Sequence, residues 1–350
     1  MSGIMIEPVD LSALSAADWQ AICDLLNPYR HEIDPRLTLL DVAEAQRRYR
    51  TLPSYYRGDY WRARSVTGEL VGWLQVGRMV AGNENYHLLD MDIIVAAPWR
   101  RQGIGSALLA EAVAVAEAEN RKLLDAAGNT RIPAGTAFLT RIGGKRAMRH
   151  VTNELALADL DRDLVHDWIA RAPQRAGDYV LDAIASPIAA DLLPAIADLF
   201  QLMNSAPLED LDAEPEQWTA ERVAEMDRNL QQRGAQMFML AARHKPSGRY
   251  VGYTIINYMP FQPQFLFQDD TAVDPQHRDK GLGRWLKAAN LLRVIEACPA
   301  AEVVWTGNAG SNAPMLSINH ALGFREAYAS DVFQTPVAAA RAYLDERAHG

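Results

Sequence analysis

The sequence contains two stretches that match one another across a constant spacing of 178 residues. One is Val95–Gly105, with the sequence Val-Ala-Ala-Pro-Trp-Arg-Arg-Gln-Gly-Ile-Gly, and the other is Val273–Gly283, with the sequence Val-Asp-Pro-Gln-His-Arg-Asp-Lys-Gly-Leu-Gly. Upstream of them, Thr67–Trp73 and Ser247–Tyr253 also resemble one another. Two matches in the same order indicate an internal repeat, which predicts two copies of one fold.

The length of the chain agrees with two domains. Its 350 residues are many for one domain, but they give each of two halves enough residues for its own hydrophobic core. Hydrophobic residues make up 49% of the sequence and charged residues 23%, the balance of a soluble globular protein. The segment Trp168–Gly177 carries Pro173 and Gly177 between the two repeated patterns, so we place the domains at residues 1–168 and 178–350.

Both halves show the same predicted order of strands and helix. Three strand-like runs precede the repeated loop in each half, and apolar residues then recur at helical spacing. The predicted strands are Tyr60–Val66, Leu70–Met79 and His87–Val95 in the first half, and Met237–Ala242, Tyr250–Tyr258 and Gln268–Val273 in the second. We therefore predict an α/β fold of two similar domains, each with a sheet flanked by helices.

The repeated loop has the pattern Arg-x-x-Gly-x-Gly and lies between a strand and a helix. Glycine lets the backbone turn tightly, and the N-terminus of the following helix presents unpaired N–H groups that suit a phosphate. Neither copy has the Gly-Lys-Ser/Thr of a Walker loop. Leu108 and Leu286 stand where a dinucleotide-binding loop carries a third glycine or alanine, which argues against that class as well.

A strand followed by Val-x-Pro-x-x-Arg-x-x-Gly-x-Gly and a long helix resembles the coenzyme A pyrophosphate loop of the GCN5-related N-acetyltransferase (GNAT) family. The second copy has every position of this pattern, and the first has Ala97 in place of the proline. The resemblance implies two domains, each with a mixed, largely antiparallel twisted sheet, and acetyl-CoA as co-substrate. It assigns coenzyme binding to Val95, Arg100, Arg101, Gln102, Gly103, Ile104, Gly105 and Ser106 in the first half, and to Val273, Arg278, Asp279, Lys280, Gly281, Leu282, Gly283 and Arg284 in the second.

Only the second half continues the resemblance downstream of the loop. Asn312, followed by a helical segment and Gly323-Phe324, matches the family's pattern and implies that Asn312 binds the pantetheine arm; a role as helix N-cap is also open. The corresponding stretch of the first half, Ile132–Gly144, lacks the asparagine and the phenylalanine. This asymmetry resembles tandem family members in which the C-terminal half performs catalysis. We therefore expect chemistry in the second half and a binding or structural role in the first.

Candidate catalytic residues lie on the strand before the second loop. The family's reaction needs a neutral amine, so a base must take its proton, and Asp270 and Asp269 are in place for this role. Strand alternation would point their carboxylates to opposite faces; we prefer Asp270, which has a counterpart in Asp92, although a structural hydrogen bond stays open. By resemblance, Asn319 stands where the family carries a proton-donating tyrosine. Since asparagine is no general acid, a water or Tyr258 would serve, or the thiolate would leave unaided.

Charge and composition limit the possible partners. The formal net charge of −9 gives no general attraction to nucleic acid or anionic membranes, and no apolar run approaches the ~18 residues of a membrane span. The two cysteines and eight histidines show no metal-binding or disulfide pattern, so we expect no metal and a cytoplasmic location. Five of the nine residues in Leu208–Glu216 are acidic, which would attract a cationic amine, although a solvated loop has the same composition.

The sequence therefore favours an acetyl-CoA-dependent N-acetyltransferase that acts on a small primary amine by direct attack of the amine on the thioester. Two alternatives stay open: a catalytically silent acyl-CoA-binding protein, and an acyltransferase that uses a longer acyl-CoA or an oxygen acceptor. The pattern identifies neither the acceptor nor the oligomeric state, and it leaves open whether one or both loops bind coenzyme.

Overall fold

The computed structural model describes residues 3–349 of the chain. Its strands are Ile4–Val9 (β1), Tyr56–Ser65 (β2), Leu70–Met79 (β3), Leu88–Val95 (β4), Leu123–Asn129 (β5), Lys145–Ala156 (β6), Tyr179–Ile184 (β7), Gln236–His244 (β8), Tyr250–Tyr258 (β9), Phe265–Val273 (β10), Val303–Ala309 (β11) and Arg325–Pro336 (β12). Its α-helices are Ala16–Ile33 (α1), Val42–Arg50 (α2), Ile104–Ala118 (α3), Pro133–Arg141 (α4), Arg162–Ala176 (α5), Leu193–Phe200 (α6), Ala220–Gln232 (α7), Leu282–Ala297 (α8), Ala313–Leu322 (α9) and Val337–His349 (α10). The six predicted strands are confirmed, with ends that differ by a few residues.

The chain forms two compact units, and neither is a continuous half of the sequence. Unit 1 comprises residues 3–149, 209–214 and 328–349; unit 2 comprises residues 150–208 and 215–327. These units differ from the consecutive domains 1–168 and 178–350 of the sequence analysis. The end of the chain groups with the first loop because β12 and α10 complete the sheet and the core of unit 1.

The sheet of unit 1 has the strand order β1-β2-β3-β4-β5-β12. Neighbouring strands are antiparallel except β4 and β5, which are parallel. Strand β12 pairs with the whole of β5, from Ser330 opposite Asn129 to Pro336 opposite Leu123. Helix α3 packs on this sheet, and Phe333 of β12 is buried in the same hydrophobic cluster.

The sheet of unit 2 has the order β7-β8-β9-β10-β11-β6. It is antiparallel except between β10 and β11, so it repeats the topology of unit 1. Strand β6 comes from the first half of the sequence, and its residues 150–156 pair with β11. In both units, the strand that completes the sheet therefore comes from the other half of the chain.

Helices cover both faces of the unit 2 sheet. On one face, Ile256, Leu266 and Val304 pack with residues of α5 and α8. On the other face, Tyr253 and Ile255 pack with residues of α6 and α7. We refer to these as the α8 face and the α6 face. Alternate residues of β9 point to alternate faces, as the geometry of a strand requires.

In each unit, the parallel pairing ends before the strands do. In unit 1 it joins Leu88–Asp90 to Leu123–Asp125, and in unit 2 it joins Phe265–Gln268 to Val303–Thr306. Both strands of each pair continue beyond that point, so they separate and leave a cleft in the sheet. The repeated loop follows at the open end of this cleft.

The described residues also bear on membrane crossing and on metal binding. Among residues 3–349, no helix combines the length and the apolar composition that a membrane crossing requires. Within the same range, no group of three or more His, Cys, Asp or Glu side chains is arranged to hold a metal ion. Cys23 and Cys298 are both buried free thiols.

Candidate active site

The repeated loop begins a helix in each unit. Gly103 precedes α3 and Gly281 precedes α8, and both have a left-handed backbone, with φ of 90° and 78°. Residues with a Cβ rarely adopt this conformation, so the turn requires glycine. Neither helix has a side-chain cap. The N–H groups of its first turn can therefore meet the pyrophosphate of coenzyme A, which fits the expected loop.

The arginine of the repeated motif ties each loop to the strand before it. Arg100 donates from Nε to the carbonyl oxygen of Val95 at 3.0 Å, and Arg278 donates to that of Val273 at 3.2 Å. In unit 1, the same guanidinium also makes two hydrogen bonds to Glu32, at 2.7 and 2.8 Å. The Arg100 guanidinium thus anchors the loop and already has a carboxylate partner, and its part in coenzyme binding stays a prediction.

The remaining loop residues divide into buried and exposed positions. The side chains of Ile104 and Leu282 lie in the hydrophobic cores, so only their backbone can face a ligand. Gln102 donates to a backbone carbonyl of its own loop at 3.0 Å, and the Arg284 guanidinium lies over an indole ring of α5 at 5.4 Å. Arg101 is exposed at the loop surface, where its charge is available to a phosphate.

A cavity of about 260 Å³ adjoins the loop of unit 1. It extends from Asp92 on β4 past Gly103 and Gly105 to α4, and Tyr343 and Arg347 of α10 also line it. The Tyr343 hydroxyl oxygen lies 3.0 Å from Ser106 Oγ, at the start of α3. The sequence analysis missed this contribution of the last helix, because no local signal links residues so distant in sequence.

Helix α10 is fixed on α3 by charged and apolar contacts. Arg341 makes two hydrogen bonds to the Glu117 carboxylate, at 2.9 and 2.6 Å. Val337 and Ala340 are buried in the cluster that contains Leu108 of α3. The side chains of Tyr343 and Arg347 are therefore held beside the first turn of α3, where the loop would bind phosphate.

Carboxylates line the cleft of unit 1. Asp90 and Asp125 lie side by side as the last pair of the parallel strands, and Asp92 is two residues further along β4. Tyr56 donates a hydrogen bond to Asp90. The surrounding protein displaces water from all three carboxyls and raises their pKa values, although the side chains of Asp90 and Asp92 are exposed. Burial, followed by the nearby charge of Asp90, raises the pKa of Asp125 to about 7. Along this stretch β4 pairs with β3 in a regular ladder.

Strand β10 of unit 2 departs from that regular ladder. Gln268 lies opposite Ile256 and Thr271 lies opposite Thr254, so two residues of β10 face the single residue Ile255. This is a β-bulge, and the two residues that share one partner on β9 are Asp269 and Asp270. Bulges bend a strand and re-aim side chains, and they occur often beside active sites.

The bulge turns both aspartates toward the α6 face. Tyr253 donates from its hydroxyl to Asp270 Oδ2 at 3.1 Å, and Asn257 donates from Nδ2 to Asp269 Oδ2 at 3.0 Å. Tyr253 and Asn257 are four residues apart on β9 and thus share a face. The expectation that strand alternation separates the two carboxylates was wrong, because alternation does not hold across a bulge.

The two carboxyls have raised pKa values for the same main reason. Burial, followed by the nearby charge of Asp269, raises the pKa of Asp270 to about 7, although the hydrogen bond from Tyr253 acts in the opposite direction. Glu216 adds a further negative charge. Asp269 has an exposed side chain, yet the protein around it still displaces enough water to raise its pKa. A carboxylate with a pKa near 7 is suited to accept a proton at neutral pH.

The asparagines predicted from the family pattern lie at helix α9. Asn312 is the N-cap of this helix and accepts a hydrogen bond from the Met315 N–H at 3.4 Å. Asn319 is fully buried and donates from Nδ2 to Asn308 Oδ1 at 2.7 Å. Asn308 lies on β11 beyond the end of its pairing with β10, so Asn319 contacts a residue of the cleft. Its amide can orient groups there but cannot supply a proton.

The acidic segment between α6 and α7 does not belong to one site. Its residues Glu209–Glu214 group with unit 1, where Asp212 and Glu214 donate backbone hydrogen bonds to Gln334 and Asn85 at 2.8 and 2.7 Å. Glu216 belongs to unit 2. Attraction of an amine to unit 2 therefore rests on Glu216 and the two bulge aspartates, and not on the whole acidic segment.

A buried lysine lies between α8 and α9. Lys287 is only 2% exposed, and its Nζ lies 3.6 Å from Met315 Sδ and 6.0 Å from the ring centre of Phe324. Burial lowers the pKa of this ammonium to about 7. The sequence analysis did not single out Lys287, because lysine at a helical position usually lies at the surface.

The sequence matches a family model at both halves. The model of the acetyltransferase (GNAT) family aligns with residues 19–134 and again with residues 198–324. The chain belongs to the GNAT acetyltransferase family. It is an acyltransferase of tandem architecture, and the expected fold of two GNAT domains with mixed sheets is confirmed. Members of this family bind an acyl-CoA and an acceptor and transfer the acyl group to the acceptor's nitrogen.

Solved structures with a similar fold include other GNAT proteins. A tandem GNAT protein from the clavulanic acid biosynthesis pathway has a TM-score of 0.78 and 24% sequence identity, with 95% of this chain and 98% of that chain covered. A GNAT protein from Sphaerobacter thermophilus has a TM-score of 0.68 and 12% identity, with 95% and 96% covered. Identities this low establish a shared fold only. No curated protein sequence matches the chain.

Proposed function

We propose that this GNAT enzyme transfers an acetyl group from acetyl-CoA to a small primary amine, and that the reaction takes place in unit 2. The observation that supports this proposal best is the β10 bulge. It brings Asp269 and Asp270 to the same face, beside the cleft where β10 and β11 separate. The matching strand of unit 1 pairs regularly and has no such bulge.

The residues of unit 2 suggest how the reaction proceeds. The neutral amine forms a bond to the thioester carbonyl carbon, the carbon–sulfur bond breaks, and the amine's lost proton passes to Asp270. The Tyr253 hydroxyl holds that carboxylate in place. The backbone N–H groups near Val273 are available to the carbonyl oxygen as negative charge develops on it. The thiolate of coenzyme A then takes a proton from water, because the amide of Asn319 is not acidic enough to act as a general acid, and the proton on Asp270 returns to solvent.

The acceptor enters from the α6 face in this proposal. Asp269, Asp270 and Glu216 supply negative charge there, which favours a cationic amine over an alcohol. The alternative with an oxygen acceptor receives no comparable support, since a neutral hydroxyl has no positive charge for the three carboxylates to attract. We also propose a cytoplasmic site of action, because both cysteines are free and buried.

Unit 1 has a different role in this proposal. Its uncapped α3 N-terminus and its cavity support the binding of a second coenzyme molecule. Its regular β4 strand and its α4 segment without the family's asparagine give no equivalent of the unit 2 arrangement. We propose that unit 1 binds acyl-CoA without turnover.

A screen of primary amines with acetyl-CoA tests the proposed function. Release of free coenzyme A thiol is followed for each amine, and mass spectrometry identifies the acetylated product. Turnover with at least one amine, but not with the matching alcohol, is expected. A protein that binds acetyl-CoA in calorimetry but releases no thiol with any amine would instead be the silent acyl-CoA-binding protein considered above. Propionyl-CoA and butyryl-CoA in the same assay separate acetyl transfer from transfer of longer acyl groups.

A further inference from the structure

The side chain of Gln268 occupies the inside of the β10 bulge. Gln268 directly precedes the two aspartates and is only 5% exposed. Its Nε2 lies 2.7 Å from the carbonyl oxygen of Ile255 and 3.1 Å from that of Asp269. Both of these atoms can only accept hydrogen bonds, so the nitrogen of the carboxamide must be the atom that faces them.

Two threonines, one buried and one half-buried, complete the polar cluster around this carboxamide. The Oγ1 atoms of Thr254 and Thr271 lie 2.8 Å apart, and they lie 3.1 and 3.4 Å from Gln268 Nε2. Thr254 is fully buried. A carboxamide nitrogen has two hydrogens, so the four oxygens around it share these donors. The cluster lies on the opposite side of the sheet from the carboxylates of the aspartates.

The cluster explains why the strand is bulged at this place. A bulge interrupts the ladder and leaves backbone groups without their usual partners, and a buried unpaired carbonyl is costly. Ile255 is the residue that faces the two aspartates, and Gln268 donates to its carbonyl. The glutamine thus offsets the cost of the bulge. Without this donor, a regular ladder would be favoured, and Asp269 and Asp270 would point to opposite faces.

The first half of the chain provides a natural comparison. The residue in the position of Gln268 is Met91, because Met91 lies opposite Val76, the β3 counterpart of Ile256. A thioether has no hydrogen to donate to a carbonyl. Strand β4 pairs with β3 without interruption through this position. The presence of the donor therefore coincides with the bulge, and its absence coincides with a regular strand.

We infer that Gln268 is a positioning residue of the acyltransferase reaction, which holds the β10 bulge and thereby keeps the carboxylates of Asp269 and Asp270 on the α6 face. Its catalytic consequence rests on the proposed function, because it acts through Asp270. Gln268 itself lies on the α8 side of the sheet and does not contact the acceptor.

The variant Gln268→Met tests this inference, since methionine has a similar shape but no donor. We expect kcat/KM for the amine to fall by roughly 10²-fold, the usual effect of a misplaced catalytic group. We also expect the acidic limb of the pH profile to move to lower pH, because a regular ladder would separate Asp270 from the neighbouring charge of Asp269. Acetyl-CoA affinity in calorimetry should change little. Gln262→Met is the matched control, because Gln262 is a buried glutamine outside the bulge. This control should leave kcat/KM and the pH profile unchanged.

A crystal structure of Gln268→Met gives a readout that does not depend on activity. A regular ladder between β9 and β10, with the two carboxylates on opposite faces, is the expected result. A bulge that persists with Tyr253 and Asn257 still bound to the aspartates, together with kcat/KM within threefold of wild type, would overturn the inference. If Gln268→Met does not fold, Thr271→Val removes one partner of the carboxamide and should shift kcat/KM and the pH profile in the same direction by a smaller amount.

The outcome for Asp270→Asn separates the two proposals. If that variant loses activity while Gln268→Met keeps it, the base assignment holds and the positioning role of Gln268 fails. If Asp270→Asn keeps wild-type kcat/KM, the base assignment fails, and the crystal structure of Gln268→Met still decides whether the glutamine holds the bulge.

Discussion

Tyr253 donates a hydrogen bond to Asp270 across the β9–β10 pair, with 3.1 Å between the phenol oxygen and Oδ2. The tyrosine is fully buried and its ring packs against Phe200 of α6, with ring centres 5.2 Å apart. Burial and the charge of Asp270 both raise the pKa of Tyr253, so the phenol stays protonated and continues to donate. The carboxylate is therefore held by a rigid neighbour and remains able to accept a proton.

Replacement of this carboxylate should abolish base catalysis. Asp270→Asn keeps the size of the side chain but removes its basicity, so we expect kcat/KM to fall by roughly 10²-fold or more. In the wild type, the acidic limb of the kcat/KM profile should lie near pH 7, because burial raises the pKa of Asp270 to about 7 and the rate falls as the carboxylate gains a proton. The variant should lose that limb. A folded variant with the wild-type profile would exclude Asp270 as the base, and Asp269→Asn would be the next measurement.

Valine substitutions at the last glycine of each repeated loop test the roles of the two units. A Cβ at Gly283 would lie 3.5 Å from Ile318, and one at Gly105 would lie 3.7 Å from Phe138, both ordinary contacts. Valine at either site should therefore fold, but its methyl groups would occupy space between two helices beside the loop. We expect Gly283→Val to lose one equivalent of bound coenzyme A in calorimetry and nearly all turnover. Gly105→Val should lose the coenzyme A equivalent bound by unit 1 and retain most turnover. Loss of turnover in Gly105→Val while unit 2 still binds coenzyme A would assign catalysis to unit 1 instead.

The last helix should contribute to coenzyme binding in unit 1. Arg347 lines the cavity beside the α3 N-terminus, so its guanidinium is placed to meet a phosphate of coenzyme A. In a Gly283→Val background, which leaves unit 1 as the reporting site, Arg347→Ala should weaken coenzyme A binding by roughly tenfold. Arg171→Ala, on the exposed surface of α5, is the control. If the variant binds both 3′-dephospho-CoA and coenzyme A more weakly, Arg347 binds the pyrophosphate. If only the binding of coenzyme A is weakened, Arg347 binds the 3′-phosphate. Equal affinity of the variant and its parent for both ligands would show that Arg347 is not part of the site.

Lys287 should lower the stability of the protein in a pH-dependent way. Its pKa is about 7 in the folded protein and near the ordinary value of 10.5 in the unfolded chain. Between these values the unfolded chain binds more protons, so stability rises with pH from about 7 to about 10. Lys287→Met should raise the free energy of unfolding by on the order of 2–4 kcal/mol below pH 7, with a smaller gain at pH 9. Urea unfolding below pH 7 and at pH 9 measures the free energy of unfolding of both proteins. A gain in this free energy that does not depend on pH would show that the lysine is charged in the folded protein as well.

The sequence predicted the repeated loops well, because their features are local. Gly103 and Gly281 adopt the left-handed backbone that only glycine accepts readily, and the apolar spacing after each loop defines a helix. The order of strands before the loop was also accessible from short runs of apolar residues. Such signals depend on residues near one another in sequence, so they need no knowledge of the tertiary fold.

The bulge and the strand exchange required the structure. The direction of Asp269 and Asp270 depends on a hydrogen bond from the Gln268 side chain to a neighbouring strand, which no period-two pattern contains. Likewise, nothing in the local sequence of β5 specifies whether its free edge pairs with the next strand or with β12, because either would satisfy its N–H and C=O groups. The pairing of Arg100 with Glu32 also required the structure, since Glu32 lies in a distant helix.

The position of β12 in unit 1 has a consequence for how the polypeptide is made. Strand β5 pairs with residues that follow it by about 200 positions, and at a synthesis rate of roughly 5–20 residues per second those residues appear some 10–40 s later. During that interval, in the nascent chain, the edge of β5 lacks its native partner strand and the apolar surface of α3 lacks its native contacts with β12 and α10. Emergence of β12 and α10 from the ribosome, rather than emergence of the first half, therefore sets the earliest moment at which unit 1 can reach its native state. A nascent chain arrested before residue 328 should need a chaperone to remain in solution.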